Sequence, residues 1–556
     1  MSVLCMEGGG FRAQSVDTGF MVGMLAFLGQ EQKSKAPTLA GTGLLNSFSS
    51  FSTNSGSSWF FSELAYSSRF SGLVESMAKE PTSAAALYKA GWTNDWLEAT
   101  GVDPSKFNLL GDLARLLISK VLGSGDEDSI FMLQYFLATG FEWDRFVDVL
   151  LNSTSSLLPT TPVGSTAATA AWAKAGNKKQ AWLIDHSMIA STGAVSARMH
   201  QGKLGYPRVS YHVEAKWKGT VPTYVPAMFS SRLGGGMLQS APYRYASADA
   251  VADLAALKYT AAPVPGLEHK ASEPTSSLGA DFANHGLTRH VGKLPVTRLA
   301  ACSSAFIGAA CVDETAAEIT ALVGGNVCPW ASNAPDGQSF AHANALVEAL
   351  GKIGGADQKS VDGLAAAGVH SLIDGQYTDG TAIANAIAAG ATDVVAVLNS
   401  IRNVSAPATI NATAERLTRL FHGGPPPSVS HSSLLHPRML QVFGSPTADG
   451  VLTDLRSFHQ LELPTGTSYL TQIAVGTIEA TTAANVYYGV GAGRKVNVHV
   501  VAIGSSLNIG EFENFQHYDQ LAQEIALALV AKPNAAFVRD TMLPMFLGKS
   551  EAVEQA

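Results

Sequence analysis

Ser2-Val3-Leu4-Cys5-Met6-Glu7-Gly8-Gly9-Gly10-Phe11-Arg12-Ala13 is the stretch whose reading decides the fold. Ser2 to Met6 reads as a short buried strand, and three glycines then turn the chain into a helix. From Ala13 to Gly29, Val16, Phe20, Met24 and Phe27 recur at spacings of three and four, the period of an amphipathic helix. The same grammar follows once more. Phe48 and Phe51 lead into Asn54-Ser55-Gly56-Ser57-Ser58-Trp59, and helical spacing resumes through Phe60, Leu64 and Tyr66. Two strand–turn–helix units in succession imply parallel strand pairing, because parallel neighbours need a long crossover that is usually a helix. The fold expected is therefore α/β, a mostly parallel central sheet flanked by helices on both faces.

Outward from this start, residues 1–440 read as one catalytic-type core. A helical insertion or cap spans about 71–180, with helix-like runs at 109–121 and 131–151. Ser371 to Asp374 ends a strand, Ala382 to Ala389 reads as a helix, and Asp393 to Asn399 is a continuous apolar run typical of a buried parallel strand. Residues 441–556 supply further strands at 469–478 and 495–503 and a helix at 515–530, packed on the same core. No internal repeat is visible.

Composition bounds the partners. The chain has 556 residues, 46% hydrophobic and 15% charged, so it has ample material for a core. A net charge of −8, with no basic run longer than a pair such as Lys178-Lys179, excludes nucleic acid as the main partner, since phosphate backbones demand a concentrated basic surface. No run approaches the roughly 20 apolar residues that span a bilayer. The opening residues lack the basic leader of a signal peptide, so the sequence reads as a cytoplasmic or a trimmed secreted form. Four cysteines, Cys5, Cys302, Cys311 and Cys328, allow one bridge among the last three and no zinc cluster. The histidines show no ligand spacing, and neither metal nor cofactor is expected.

Both turns carry chemistry. A serine hydroxyl becomes a useful nucleophile only beside a base and a pocket for the oxyanion. A sharp strand-to-helix turn lifts the serine above the sheet with helix N–H groups behind it, and Ser55 before Gly56 fits that form. An ordinary serine-rich N-cap would look similar. Consecutive glycines at Gly8, Gly9 and Gly10 let backbone amides converge on an anion. The Gly-Lys-Ser/Thr of a phosphate loop and the spacing of a dinucleotide loop are both missing.

Gly8-Gly9-Gly10-Phe11-Arg12-Ala13 and Ser55-Gly56-Ser57-Ser58-Trp59 together resemble the cytosolic phospholipase A2 branch of the patatin-like acyl hydrolases. Ile373-Asp374-Gly375 is similar to that family's later aspartate segment, and Ser303-Ser304-Ala305 to its small-residue segment. The likeness covers the first 70 residues and about 360–400. It implies Ser55 as nucleophile, Asp374 as its base, Gly8, Gly9 and Gly10 as the oxyanion hole, and Arg12 as the stabiliser of a substrate phosphate or developing charge. It also implies phospholipid or lysophospholipid substrates, cleaved through an acyl-enzyme, with transient contact to a membrane surface.

Two positions depart from the family pattern. Thr53 stands where the family has glycine, two before the nucleophile, and should crowd the elbow. Gln376 replaces a small residue after Asp374-Gly375. Ser52 and Ser57 are the fallback nucleophiles, and a Ser–His–Asp alternative would run through His342, His370 or a later histidine. Asp379-Gly380 reads as a turn rather than a second catalytic carboxylate. Trp59, Phe60 and Phe61 read as core. A transacylase or general esterase, or a catalytically silent lipid-binding protein, would use the same scaffold.

Overall fold

The computed structural model describes residues 1–100, 143–157, 161, 180–189, 195–201, 207–213, 224–233, 237–239, 296–305, 328–331, 369–422, 440–485, 488, 490–507 and 515–547. Its strands in chain order are β1 (Ser2–Met6), β2 (Ser50–Thr53), β3 (Ala181–Ile189), β4 (Val195–Gln201), β5 (Pro207–Val213), β6 (Tyr224–Arg232) and β7 (Met237–Gln239). They continue with β8 (Cys328–Ala331), β9 (Val369–Asp374), β10 (Asp393–Leu398), β11 (Phe443–Ser445), β12 (His459–Gln460), β13 (Leu470–Thr482) and β14 (Lys495–Ser505).

The architecture is α/β with a mixed sheet. Twelve of these strands form one sheet whose main order is β11-β13-β14-β10-β1-β2-β3-β6-β7; β4 and β5 pair separately. Parallel pairing is confined to the centre, β14-β10-β1-β2-β3. Both flanks are antiparallel, so the expectation of a mostly parallel sheet holds only for the middle. At one flank the connection accounts for it: β1 and β2 are joined through a helix, as parallel pairing demands, whereas β13 and β14, joined only by residues 483–494, return antiparallel. Central strands carry unbroken apolar runs because both faces are covered: Val3 to Met6 of β1 and Val394 to Leu398 of β10 are all buried.

The helix Gly10–Glu31 follows β1 directly. Its spacing suggested an amphipathic helix, but every residue from Phe11 to Gly29 is buried. Helices Gly56–Tyr66, Ser68–Lys79 and Phe515–Val530 pack against it, leaving no solvent face. Its polar residues therefore need protein partners. Gln14 donates to the Glu63 carboxyl at 2.8 Å, and Ser57 donates to Asp17 at 2.5 Å. Glu63 also accepts from Trp92 Nε1 and Thr154, and burial raises its pKa to about 8.

The described parts of the 71–180 region are helical, among them Ser68–Lys79, Asn94–Thr100 and Trp143–Ser155; the expected run at 109–121 lies outside the described residues. Trp96 stacks on Phe11 with ring centroids 5.0 Å apart, and Trp59 meets the same ring edge-on at 5.3 Å. Phe11 follows the triglycine turn, so this aromatic cluster anchors the loop. Residues of the 441–556 region extend the same sheet through β13 and β14. Among the described residues no single helix is long and apolar enough to cross a membrane. Cys302 is disulfide-bonded, and Cys5 is a buried free thiol.

The first and last long helices approach closely because Gly19 and Gly23 face Ala522, Ala526 and Leu529. A Cβ at Gly19 would lie 2.4 Å from the Ala522 carbonyl oxygen, a backbone atom that cannot rotate away. Gly19→Ala is expected to destabilise the fold by about 1–3 kcal/mol through overpacking, measured by urea titration. An unchanged midpoint contradicts this close contact.

Candidate active site

β3 positions the two candidate residues. Its first half pairs with β2 up to Thr53↔Ile184, and its second half pairs with β9 from His186↔Asp374 onward. β2 and β9 thus meet end to end along one side of β3, two residues apart in register, roughly 7 Å of strand. The chain leaving β2 reaches Ser55 two residues later, where β9 ends at Asp374. Ser55 Oγ donates to Asp374 Oδ2 at 2.9 Å.

Ser55 sits at φ 52° and ψ −127°, a conformation that L-residues rarely adopt, immediately before the helix Gly56–Tyr66. Such strain costs about 1–3 kcal/mol and persists only where neighbours enforce it. Here Ser303 enforces it. Its hydroxyl accepts from the Ser55 N–H at 3.0 Å, donates to the Asp185 carbonyl at 2.7 Å and meets the Ser58 hydroxyl at 3.1 Å. Trp59 Nε1 donates to Ser304 Oγ at 2.9 Å, tying the same helix to the same segment. Thr53 does not crowd the elbow. Its hydroxyl turns toward β3, accepts from Trp182 Nε1 at 2.9 Å and pairs with Ser58 Oγ at 2.9 Å. Threonine contributes fixed partners where glycine would contribute none.

The glycine loop lies against the elbow. A Cβ at Gly56 would fall 2.0 Å from the Gly10 carbonyl oxygen, so the two turns touch backbone to backbone. Gly10 itself has φ 54°, a left-handed conformation suited to glycine. The three glycines are not equivalent. The Gly8 N–H donates to the Gly380 carbonyl at 3.0 Å, so that amide, unlike the next two, is already engaged. Among the described residues nothing accepts from the amides of Gly9, Gly10 or Gly56.

Around the loop, Glu7 is fully buried and acts as a clamp. Its carboxylate accepts from the Asn399 and Ser400 amides at 2.6 and 2.8 Å and from Ser400 Oγ at 2.6 Å. Arg416 Nη1 lies 3.4 Å from Glu7 Oε1 and donates to the Gly8 carbonyl at 3.2 Å. Arg12 Nε donates to Asn399 Oδ1 at 3.1 Å, and Asn399 Nδ2 donates to the Glu7 carbonyl at 2.9 Å. Arg12 therefore stands within the clamp that shapes the loop.

Burial pushes Asp374 up to about 7, against the opposing pulls of the Gln376 N–H, the Ser55 hydroxyl and the Arg416 charge. The Gln376 amide donates to Asp374 Oδ1 at 2.9 Å, so each carboxyl oxygen has one donor. Asp185 and Asp379, nearby and buried, are raised too, first by desolvation. Asp379 accepts from the Thr381 amide and hydroxyl and from the Ala384 amide, a local turn and cap as its sequence context implied.

The fallback serines have structural partners. Ser52 Oγ donates to the Ala382 carbonyl at 2.7 Å; Ser57, with no exposed surface, is held by Glu7 and Asp17. Ser55 keeps 7% of its surface exposed. No histidine intervenes between Ser55 and Asp374. His370 lies in β9 with its backbone paired to Trp330, and His342 lies outside the described residues. Trp59, Phe60 and Phe61 are buried, as their core reading required.

Asn399, Glu7 and Arg416 were missed in the sequence. Asn399 had a signal, as the polar residue ending a buried parallel strand, the end at which such sheets bind ligands. Arg416 had none.

In its unfolded form Asp374 titrates near 3.8, and in the folded protein near about 7. The folded state thus prefers the neutral acid, and stability present at low pH is lost as pH rises through about 7. Asp374→Asn stays neutral. Its stability relative to wild type is expected to rise by on the order of a few kcal/mol between about pH 4 and about pH 8, read from melts across that range. A pH-independent difference contradicts the raised pKa. Compared with protein-family models and with curated protein sequences, the chain matches none.

Proposed function

We propose that this protein is a serine acyl hydrolase of the patatin-like type, cleaving fatty acyl esters through a Ser55–Asp374 dyad. The observation that carries the reading is the 2.9 Å hydrogen bond from a serine at a strained strand-to-helix elbow to a buried carboxylate, beside unpartnered glycine amides. A structural serine needs neither the strain nor the adjoining bare amides.

In this reading the ionised Asp374 accepts the Ser55 proton as Oγ attacks the ester carbonyl. Negative charge moves onto the carbonyl oxygen, where the Gly9, Gly10 and Gly56 amides are the available donors. Each well-aimed donor contributes on the order of 3 kcal/mol to the transition state. Protonated Asp374 then returns its proton to the leaving alkoxide, and an acyl group remains on Ser55. Water, deprotonated by Asp374, attacks the acyl-enzyme; the Ser55 Oγ–acyl bond breaks, Asp374 returns the proton to Oγ, and the fatty acid leaves. One carboxylate serves as base and acid in turn, and a pKa near about 7 suits both tasks near neutral pH. The substrates proposed are phospholipids or lysophospholipids presented at a membrane surface. That choice rests on the sequence resemblance.

A fluorophosphonate probe is expected to label the wild type and not Ser55→Ala; labelling that survives in Ser55→Ala overturns the assignment. For a soluble acyl ester, kcat/KM should rise about tenfold per pH unit below about pH 7 and level off above it. A rate that falls as pH rises through that range contradicts Asp374 as base.

A further inference from the structure

Beside the dyad, past Gln376, lies a cavity of about 240 Å³. It is smaller than the roughly 300–1,000 Å³ typical of drug-sized ligands. Four of its lining residues are arginines: Arg12 from the glycine loop, Arg402 after β10, and Arg416 and Arg419 from the helix Glu415–His422.

The carboxylates nearby balance this charge only in part. Asp379 also lines the cavity, but its oxygens accept the turn and cap bonds described above, and burial raises its pKa. Glu415 is taken by Arg419 Nη2, and Glu7 by Arg416 and the Asn399 and Ser400 amides. Arg419 is 4% exposed, yet its Nε has no partner. Among the described residues the exposed Arg402 side chain has no acceptor; only its backbone is hydrogen-bonded, the N–H donating to Thr413 Oγ1 and the carbonyl accepting from Thr471 Oγ1. A buried guanidinium nitrogen left without an acceptor is costly, because desolvation is not repaid. Planar guanidinium groups converging on a small cavity match the oxygens of a tetrahedral anion.

We propose that this cavity binds a phosphate-class oxyanion, held chiefly by Arg402, Arg416 and Arg419, with Arg12 at its inner edge. The occupant is either the phosphate of a lipid headgroup or a free phosphate ion. Only the first source rests on the hydrolase reading. The site is also wired to the dyad. Gln376 lines the cavity and holds Asp374 through its amide, and the Arg416 charge acts on the Asp374 carboxyl.

Titration calorimetry of the full chain with inorganic phosphate, against chloride at matched ionic strength, tests this without needing turnover. Saturable phosphate binding is expected, weakened about tenfold or more in Arg402→Glu and in Arg402→Ala, with melting curves reporting that both variants fold. No saturable phosphate binding by the wild type, equal displacement by chloride, or wild-type affinity in both variants overturns the proposal. Turnover separates the two sources. Phosphate that competes with lysophospholipid and leaves hydrolysis of a neutral acyl ester unchanged identifies a headgroup subsite. Phosphate that alters kcat on the neutral ester identifies a free-ion site. If no ester is cleaved at all, the hydrolase reading fails while the calorimetry still decides the anion site.

Discussion

The whole arrangement depends on the pairing of one strand with two others laid end to end. β3 is parallel to β2 over its first four residues and antiparallel to β9 over its last four, while β6 runs along its entire other edge. Main-chain hydrogen bonds therefore fix the distance between the end of β2 and the end of β9. Side-chain chemistry has only to exploit that meeting. Because side chains alternate along a strand, a one-residue slip of β9 would turn Asp374 to the other face. Register is thus the constraint that brings a residue near position 55 together with one near 374.

Around this junction the protein uses two devices. The first is close backbone approach through glycines: Gly56 against Gly10, and Gly375 against Asn54, where a Cβ would lie 2.4 Å from the Asn54 side-chain oxygen. The second is saturation of neighbouring hydroxyls and carboxylates. Ser303, Thr53, Ser57 and Glu7 are each engaged by two or more partners and hold the loops rigidly. Against that background the unengaged groups at the junction, among the described residues, include the Gly9, Gly10 and Gly56 amides and the acceptors Asn54 Oδ1 and Asp185 Oδ2, with the Arg419 Nε in the neighbouring cavity. Preorganised donors of this kind stabilise developing charge without reorganising during the reaction.

Much of this was legible in the sequence because the informative signals are local. Strand–glycine–helix grammar at residues 2–29 and 48–66, the apolar run of 393–399 and the Asp-Gly after 371–373 each announce themselves within a dozen residues. What was not legible is long-range. The antiparallel flanks depend on which distant strands meet, and the burial of Phe11 to Gly29 on every side depends on a helix some 500 residues later. Hydrogen-bond accounting also escaped the sequence. Nothing in Gly8-Gly9-Gly10 reveals that the first amide is tied to Gly380. Thr53 is instructive in the other direction: a departure from the family pattern that looked disruptive is absorbed by Trp182 and Ser58.

The most direct test of the central claim is a crystal structure of the protein after reaction with a small alkyl fluorophosphonate. The account predicts phosphorus bonded to Ser55 Oγ, its free oxygen within hydrogen-bond reach of the Gly9, Gly10 or Gly56 amides, and the Asp374 carboxyl adjoining the adduct. An adduct on Ser57 or another residue, or a phosphonyl oxygen pointing away from the glycine turn, would contradict it.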